Sequence, residues 1–376
     1  MTHDDATGAG RSIAGASGDF VVVSHLVVSG SQTEMGFQLA RAAAGAHGSA
    51  PRPIAPALGR ARWRWFERNW PEQHERCHGM AAAFSVAEDD ASRCVDDLNG
   101  FPIPGECSAV WCPPKASAGP MVVRNFDIHV SVIDTDPVPH TGQRLPVLSR
   151  PHVVEMHPDK GLSSVVITGN NLSGCLEGIN EAGLCVVELA DGQGDTLRAT
   201  NSPQAGLDES QLPRFLLDRC RTAEQAREAL YEVKHYTRFS SCHFLVADAQ
   251  GDAFIWEREG DNVEHVVDAD AVPLVVTNHL LSQDADPPGE DDGGTRARRR
   301  SLLHQLGHGE LATADVHAAL DLVRAEATAI LHLGMPTAVT LWRTEYNLAA
   351  ASMIVRFLLG FGESQRYSEP VSVGLL

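Results

Sequence analysis

No run in the sequence approaches the roughly 18 consecutive apolar residues that a membrane-spanning helix needs. The opening MTHDDATGAGRSIAGASG also lacks the basic-then-apolar order of a secretory leader. Both absences lead us to expect a cytoplasmic protein without membrane contact. Basic residues are scarce: 30 Lys+Arg stand against 49 Asp+Glu, for a formal charge of -19. Phosphate neutralisation carries most nucleic-acid affinity, so nucleic acid and acidic membrane surfaces are excluded as partners. The eight cysteines include no CxxC pair, which removes zinc ribbons and dithiol redox sites. No metal and no cofactor are expected. A chain of 376 residues can stabilise its own core, so no disulfide scaffold is needed. There is no nucleotide-binding motif and no internal repeat.

What is present is ordinary globular composition, 43% hydrophobic and 21% charged. Residues 1–18 are small, polar and glycine-rich and read as a disordered tail. Apolar alternation begins at Phe20. Helical spacing then runs from about Met35 to Ala44 and from Trp63 to Ser85, broken by the proline-rich SAPRPIAPALG. After Gly105 short β-like runs take over: Ala109–Cys112, Met121–Val123, Val153–His157, Ser163–Thr168 and Leu184–Leu189. Gln211–Tyr236 is helical, with a capping sequence from Thr222 that divides it into two helices. Ser241–Ala247 and Ala253–Glu257 form a hairpin, and Val272–Thr277 reads as a strand. Ser282–Gly294, rich in Asp, Gly and Pro, is a solvated loop. Thr295–Leu306 and Thr313–Ala329 are helical, and Thr337–Tyr346 with Ala349–Leu358 make a closing strand pair. Blocks of strands alternating with blocks of helices predict an α+β fold around antiparallel sheet.

Four segments carry the chemistry. Gly105-Glu-Cys-Ser-Ala-Val-Trp-Cys opens a β run with a cysteine, followed by the turn-like Arg124-Asn-Phe-Asp127. Leu176-Glu-Gly-Ile-Asn-Glu-Ala-Gly-Leu184 comes next, and then Val275-Val-Thr-Asn-His279. In order and spacing they resemble the N-terminal nucleophile (Ntn) hydrolases of the isopenicillin N acyltransferase family, and more distantly the choloylglycine hydrolases. The resemblance covers roughly the last 270 residues; HGMAAAF and DLNG resemble the family's pro-segment more loosely.

The resemblance implies a four-layer αββα sandwich with a helical N-terminal pro-segment. The chain would divide into residues 19–106, the small chain, and 107–376, the catalytic domain, which stay together after autocatalytic cleavage between Glu106 and Cys107. A thiol of ordinary pKa needs a base, and the freed α-amine of Cys107 would supply one on the nucleophile's own residue. By position in the motifs, Asp127 would orient that amine and Arg124 would favour the thiolate. Asn278 would donate to the oxyanion. Ser241 and Arg298, the latter in Thr295-Arg-Ala-Arg-Arg-Arg-Ser301, would meet substrate, Arg298 through a carboxylate. The family's further oxyanion asparagine has no match here, and Cys-Val-Val-Glu-Leu-Ala stands in its place. Asn180 reads as a hairpin-turn former and His279 as a loop holder. The expected partner is a small-molecule amide or acyl donor, acyl-CoA included. Amide hydrolysis ranks first, with acyl transfer to an amine as the alternative. A non-catalytic binding protein of the same fold and a Cys/His dyad amidase stay open.

Overall fold

Strand-forming runs interrupted by two helical blocks give, in the computed structural model, two stacked sheets with helices on both outer faces. The structure describes residues 10–96, 105–114, 119–130, 148–191, 200, 202–259, 263–270, 272–283, 294–307, 311–326, 337–361 and 364–375. In chain order the first part holds β1 (Arg11–Ala14), β2 (Val23–Gly30), α1 (Gln32–His47), β3 (Arg52–Pro53), α2 (Pro56–Asn69), α3 (Pro71–Ala83) and β4 (Arg93–Cys94). Next come β5 (Ser108–Cys112), β6 (Met121–Val130), β7 (His152–Pro158), β8 (Ser164–Thr168), β9 (Glu177–Asn180) and β10 (Cys185–Ala190). Helices α4 (Gln211–Arg219) and α5 (Ala223–Glu232) precede β11 (Cys242–Ala247), β12 (Ala253–Arg258), β13 (Glu264–Asp268) and β14 (Leu274–Val276). The chain ends with α6 (Thr295–Leu306), α7 (Thr313–Leu322), β15 (Thr337–Asn347), β16 (Ser352–Phe361), β17 (Gln365–Tyr367) and β18 (Val371–Gly374).

One sheet has nine strands in the order β1-β2-β7-β8-β9-β10-β11-β12-β13. The other has seven, β14-β5-β6-β15-β16-β17, with β18 also on β16. Every pairing between named strands is antiparallel except β2 with β7. The packing follows from period-two alternation, which sends neighbouring residues to opposite faces. Val153, Val165, Ile179, Val187, Leu245 and Ile255 of the nine-stranded sheet meet Trp111, Val122, Phe126, Leu341 and Trp342 of the seven-stranded one. Their alternates Val154, Val166, Val186 and Phe254 face α1–α5 through Leu39, Phe66, Met80, Leu216 and Leu230. On the far side Val110, Val123 and Val275 pack against Leu302, Leu306, Val316 and Leu320 of α6 and α7. The layers are therefore α, β, β, α, as expected.

Three readings are corrected. Arg11–Ala14 form a strand paired with β2, so this part of the expected tail belongs to the sheet; residues 1–9 lie outside the described residues. Arg124-Asn-Phe-Asp127 is no turn but the middle of β6, a ten-residue strand. Polar residues masked its alternation, because one face of this strand carries a buried arginine and the other Asn125 and Asp127. The strand expected at Val272–Thr277 shortens to β14. Most of the acidic Ser282–Gly294 loop lies outside the described residues, as do 131–147 and 192–199.

Candidate active site

Cys107 sits immediately before β5, beside β6, with the backbone of Gly105 bridged to Ile128. Its side chain turns into the space between the sheets and is buried. The sulfur lies 3.5 Å from Arg124 Nη2 and 3.5 Å from the backbone carbonyl of Asp127. Burial pushes the thiol up; Arg124 pulls it down and the Asp127 charge adds to the rise. Desolvation outweighs the cation, so in the uncut chain Cys107 is a neutral thiol. No histidine hydrogen-bonds this sulfur among the described residues.

Arg124 is held across the gap between sheets. Its Nη1 lies 3.3 Å from Glu177 Oε1 and its Nη2 donates to the Glu188 carbonyl, while the guanidinium sits 4.6 Å from the Phe126 ring centre. Glu177 in turn accepts from Trp342 Nε1 at 2.5 Å and from the Thr344 hydroxyl at 2.8 Å. The ion pair thus pins both sheets beside the sulfur. Sequence reasoning passed over Glu177, although a carboxylate among the apolar residues of the Leu176–Leu184 motif was a signal that it needed a buried partner.

The loop after β14 is stitched to the first turn of α6. The Thr277 hydroxyl donates to the Thr295 carbonyl at 3.0 Å, and the Asn278 backbone N–H donates to Thr295 Oγ1 at 2.6 Å. His279 Nδ1 lies 3.1 Å from the same hydroxyl, in keeping with a loop-holding place. This brings Asn278 to Arg298, whose Nη2 donates to Asn278 Oδ1 at 3.0 Å. Arg298 Nη1 donates to the carbonyl of Glu106 and, at 3.2 Å, to that of Cys107. In the uncut chain Arg298 therefore grips the backbone of the Glu106–Cys107 peptide rather than facing outward to a carboxylate. Asn278 Nδ2 donates to the Ala190 carbonyl at 2.7 Å. Ser241 lies one step further away, its hydroxyl donating to Asp191 Oδ2 at 2.6 Å.

Asp127 reaches Cys107 by its backbone, accepting the Glu106 N–H at 3.0 Å. Its carboxyl lies on the other side of β6, where Oδ1 accepts from the Thr340 hydroxyl and the fully buried Oδ2 has no hydrogen-bond partner among the described residues. Burial raises this carboxyl to about 7, against the pull of Thr340, Arg298, Arg343 and Arg124. Thr340 was also missed, since it belongs to β15, far away in sequence. Asn180 is structural: its Oδ1 accepts from Ala182 and Leu184 across the hairpin turn, and its Nδ2 donates to the Leu217 and Cys220 carbonyls at the end of α4. A cavity of about 490 Å³ opens on the outer face of the seven-stranded sheet, with Thr340 in its wall, and not at Cys107.

The family model described as acyl-coenzyme A:6-aminopenicillanic acid acyl-transferase matches residues 115–313. The chain belongs to this family. The matched segment contains Arg124, Asp127, Ser241, Asn278 and Arg298, and it begins just after Cys107. Like its family, the chain is an Ntn-type enzyme that acts on amide bonds, by hydrolysis or by acyl transfer. Among solved structures, penicillin V acylase from Agrobacterium tumefaciens is similar at 16% identity, over 67% of this chain and 82% of that one, with a TM-score of 0.45. A mutant of conjugated bile acid hydrolase from Clostridium perfringens matches at 11% identity over 72% of this chain and 97% of that one, also with a TM-score of 0.45. An N-acylethanolamine-hydrolyzing acid amidase ortholog from Caenorhabditis elegans matches at 14%, over 65% and 93%, with a TM-score of 0.42. No curated protein matches by sequence. Among the described residues no helix is long and apolar enough to cross a membrane.

Proposed function

We propose that this acyltransferase-family chain is made as a precursor, cuts itself between Glu106 and Cys107, and then uses the freed N-terminal cysteine to hydrolyse a small-molecule amide. The observation that carries the reading is the Arg298 guanidinium on the Glu106 carbonyl. When the Cys107 sulfur attacks that carbon, a C–S bond forms and negative charge gathers on the oxygen that Arg298 already holds. The C–N bond then breaks, and the thiol proton goes with the departing α-amine. Water hydrolyses the thioester, leaving a Glu106 carboxylate and restoring the thiol. A donor aimed at such an oxygen is worth about 3 kcal/mol, or on the order of 100-fold in rate.

The cut also supplies the missing base. Among the described residues no histidine serves Cys107, whereas a free α-amine, with an ordinary pKa of about 7.7–8.0, titrates where the thiol needs help. Arg298, released from the severed peptide, would then donate to the substrate oxyanion together with Asn278, whose Nδ2 would leave the Ala190 carbonyl. Arg124 stays beside the sulfur, and Asp127 would orient the amine through the backbone carbonyl that already lies 3.5 Å from that sulfur. The acyl group passes to Cys107, an amine or thiol leaves, and water takes the acyl group. An acceptor amine in place of water gives the transferase reaction, with acyl-CoA as one class of donor.

Intact mass under denaturing conditions tests this. Wild type is expected as two chains dividing before Cys107, Cys107→Ala as one, and Arg298→Met as a mixture that matures on the order of 100-fold more slowly. A single uncut wild-type chain that nevertheless turns over substrate would overturn the α-amine mechanism.

A further inference from the structure

Helix α3 carries a histidine pair outside the chemistry described above. The expectation of no metal came from cysteine spacing, which says nothing of histidine, and the sequence here reads His74-Glu-Arg-Cys-His78. Residues four apart on a helix share one face. One ring nitrogen from each histidine and a carboxylate oxygen of Glu75 lie within 4.8 Å of one another. Among the described residues this is the one place where three such donors converge.

The rings are already positioned. Trp63 of α2 packs edge-on against His74, with centroids 5.2 Å apart, and tilts against His78 at 5.0 Å, while the two imidazoles lie 4.8 Å apart. Both histidines are partly buried beside this indole, so their rotamer freedom is small before any ligand arrives, and Glu75 is solvent-accessible. Glu88, from the segment after α3, approaches His78 Nδ1 to 3.7 Å and adds negative charge. The opposite face of α3 is fixed to the core through Gln73, Arg76 and Met80, which keeps the donor face turned outward.

We propose that His74, Glu75 and His78 bind a divalent transition metal of the zinc class. Two imidazoles and one carboxylate, with a position left for water, form a donor set that zinc accepts, and imidazole also suits nickel and copper. The H-E-x-x-H spacing on a helix is one that zinc sites use. Here the glutamate lies close enough to be a ligand, and no hydrolytic chemistry is assigned to it. The donors converge with modest side-chain rotation, since ring nitrogens bound to zinc sit about 2.0–2.1 Å from the ion.

The test uses the full-length protein freed of metal by chelator. Zinc titration by calorimetry is expected to show one equivalent in wild type that His78→Ala and His74→Ala both lose, with unchanged far-ultraviolet circular dichroism. Cobalt should give a tetrahedral absorption spectrum in wild type only. Nickel should quench the Trp63 part of the fluorescence, and Trp63→Phe should lose the quench while still taking up the ion. Equal zinc uptake by wild type and both histidine variants, or none by wild type, would overturn the site.

Discussion

At the scale of single residues, the charge state of the uncut site is set by burial. Asp127 is 0% exposed and its carboxyl is raised to about 7 from 3.8. Between about pH 4 and 7 the unfolded carboxyl has lost its proton while the folded one keeps it. Stability therefore falls as pH rises through that window and levels off above it, with an upper bound of ~4 kcal/mol. Asp127→Asn, which resembles the protonated form, removes this slope. Urea unfolding of Cys107→Ala with and without Asp127→Asn at pH 5 and pH 8 should show the variant gaining on its parent at the higher pH; parallel stabilities would refute the shift. The family resemblance, carried by motifs that are each local in sequence, named Cys107, Arg124, Asp127, Asn278 and Arg298 as candidates. It did not disclose Glu177 with Arg124, or Thr340 with Asp127. Those partnerships join residues 53 and 213 positions apart, and only strand pairing and sheet stacking bring them together. Gly105 is a further case: a Cβ there would stand 2.8 Å from the Asp127 carbonyl and 3.4 Å from the Cys107 sulfur, so the bare backbone leaves room for the nucleophile.

At the scale of elements, helices were legible where their ends carried chemistry. Thr222 caps α5 by accepting from the Gln225 amide, and the boundary between α4 and α5 falls where the capping sequence predicts. Helix α6 spans the expected residues because glycines precede it and Gly307 follows it. Strand β6 was not legible, because its inward position 124 is a charged residue satisfied only by the other sheet. The close crossing of α1 and α3 was equally hidden. There the glycines touch the partner helix: a Cβ at Gly36 would lie 2.1 Å from the Arg76 carbonyl oxygen, and one at Gly79 would lie 1.8 Å from that of Thr33. Helix propensity favours Gly79→Ala by about 1 kcal/mol. The clash is with backbone, which cannot swing aside, and forcing the two helices apart costs more, about 3 kcal/mol. Gly79→Ala should therefore lower the unfolding midpoint, whereas an alanine at the exposed Gly18, where a Cβ meets nothing within 4 Å, should leave it nearly unchanged. Equal midpoints for the two variants would mean that the helices do not cross this closely.

At the scale of the whole molecule, the α+β class followed from alternating blocks of strands and helices and the layer order from the family resemblance, but the depth to which residues before Cys107 enter the fold followed from neither. They supply β1 and β2 to the edge of the nine-stranded sheet, with β2 parallel to β7 from Ser24 against His152 to Gly30 against Pro158. They also supply α1–α3, whose Leu39, Phe66 and Met80 share a core with Val154, Leu216 and Phe244. Buried polar contacts cross the same boundary. Trp70 Nε1 donates to Asp218 at 2.9 Å, Arg76 pairs with that carboxylate, and Gln73 Nε2 donates to the Ser173 hydroxyl at 2.9 Å. Separating the segments would expose one face of a sheet and leave Arg76 and Asp218 as unpaired charges, a loss of about 3–5 kcal/mol for that pair alone. A cut at Glu106–Cys107 should therefore sever the chain without dividing the molecule. Native mass measurement of the matured wild type should give one particle near the 40.4 kDa of the uncut chain, while the denaturing measurement gives two pieces. Arg76→Met should lower the urea concentration at which the pieces part. Two separate particles in native buffer would mean that the segment before Cys107 is a removable pro-piece and not a structural half of the enzyme.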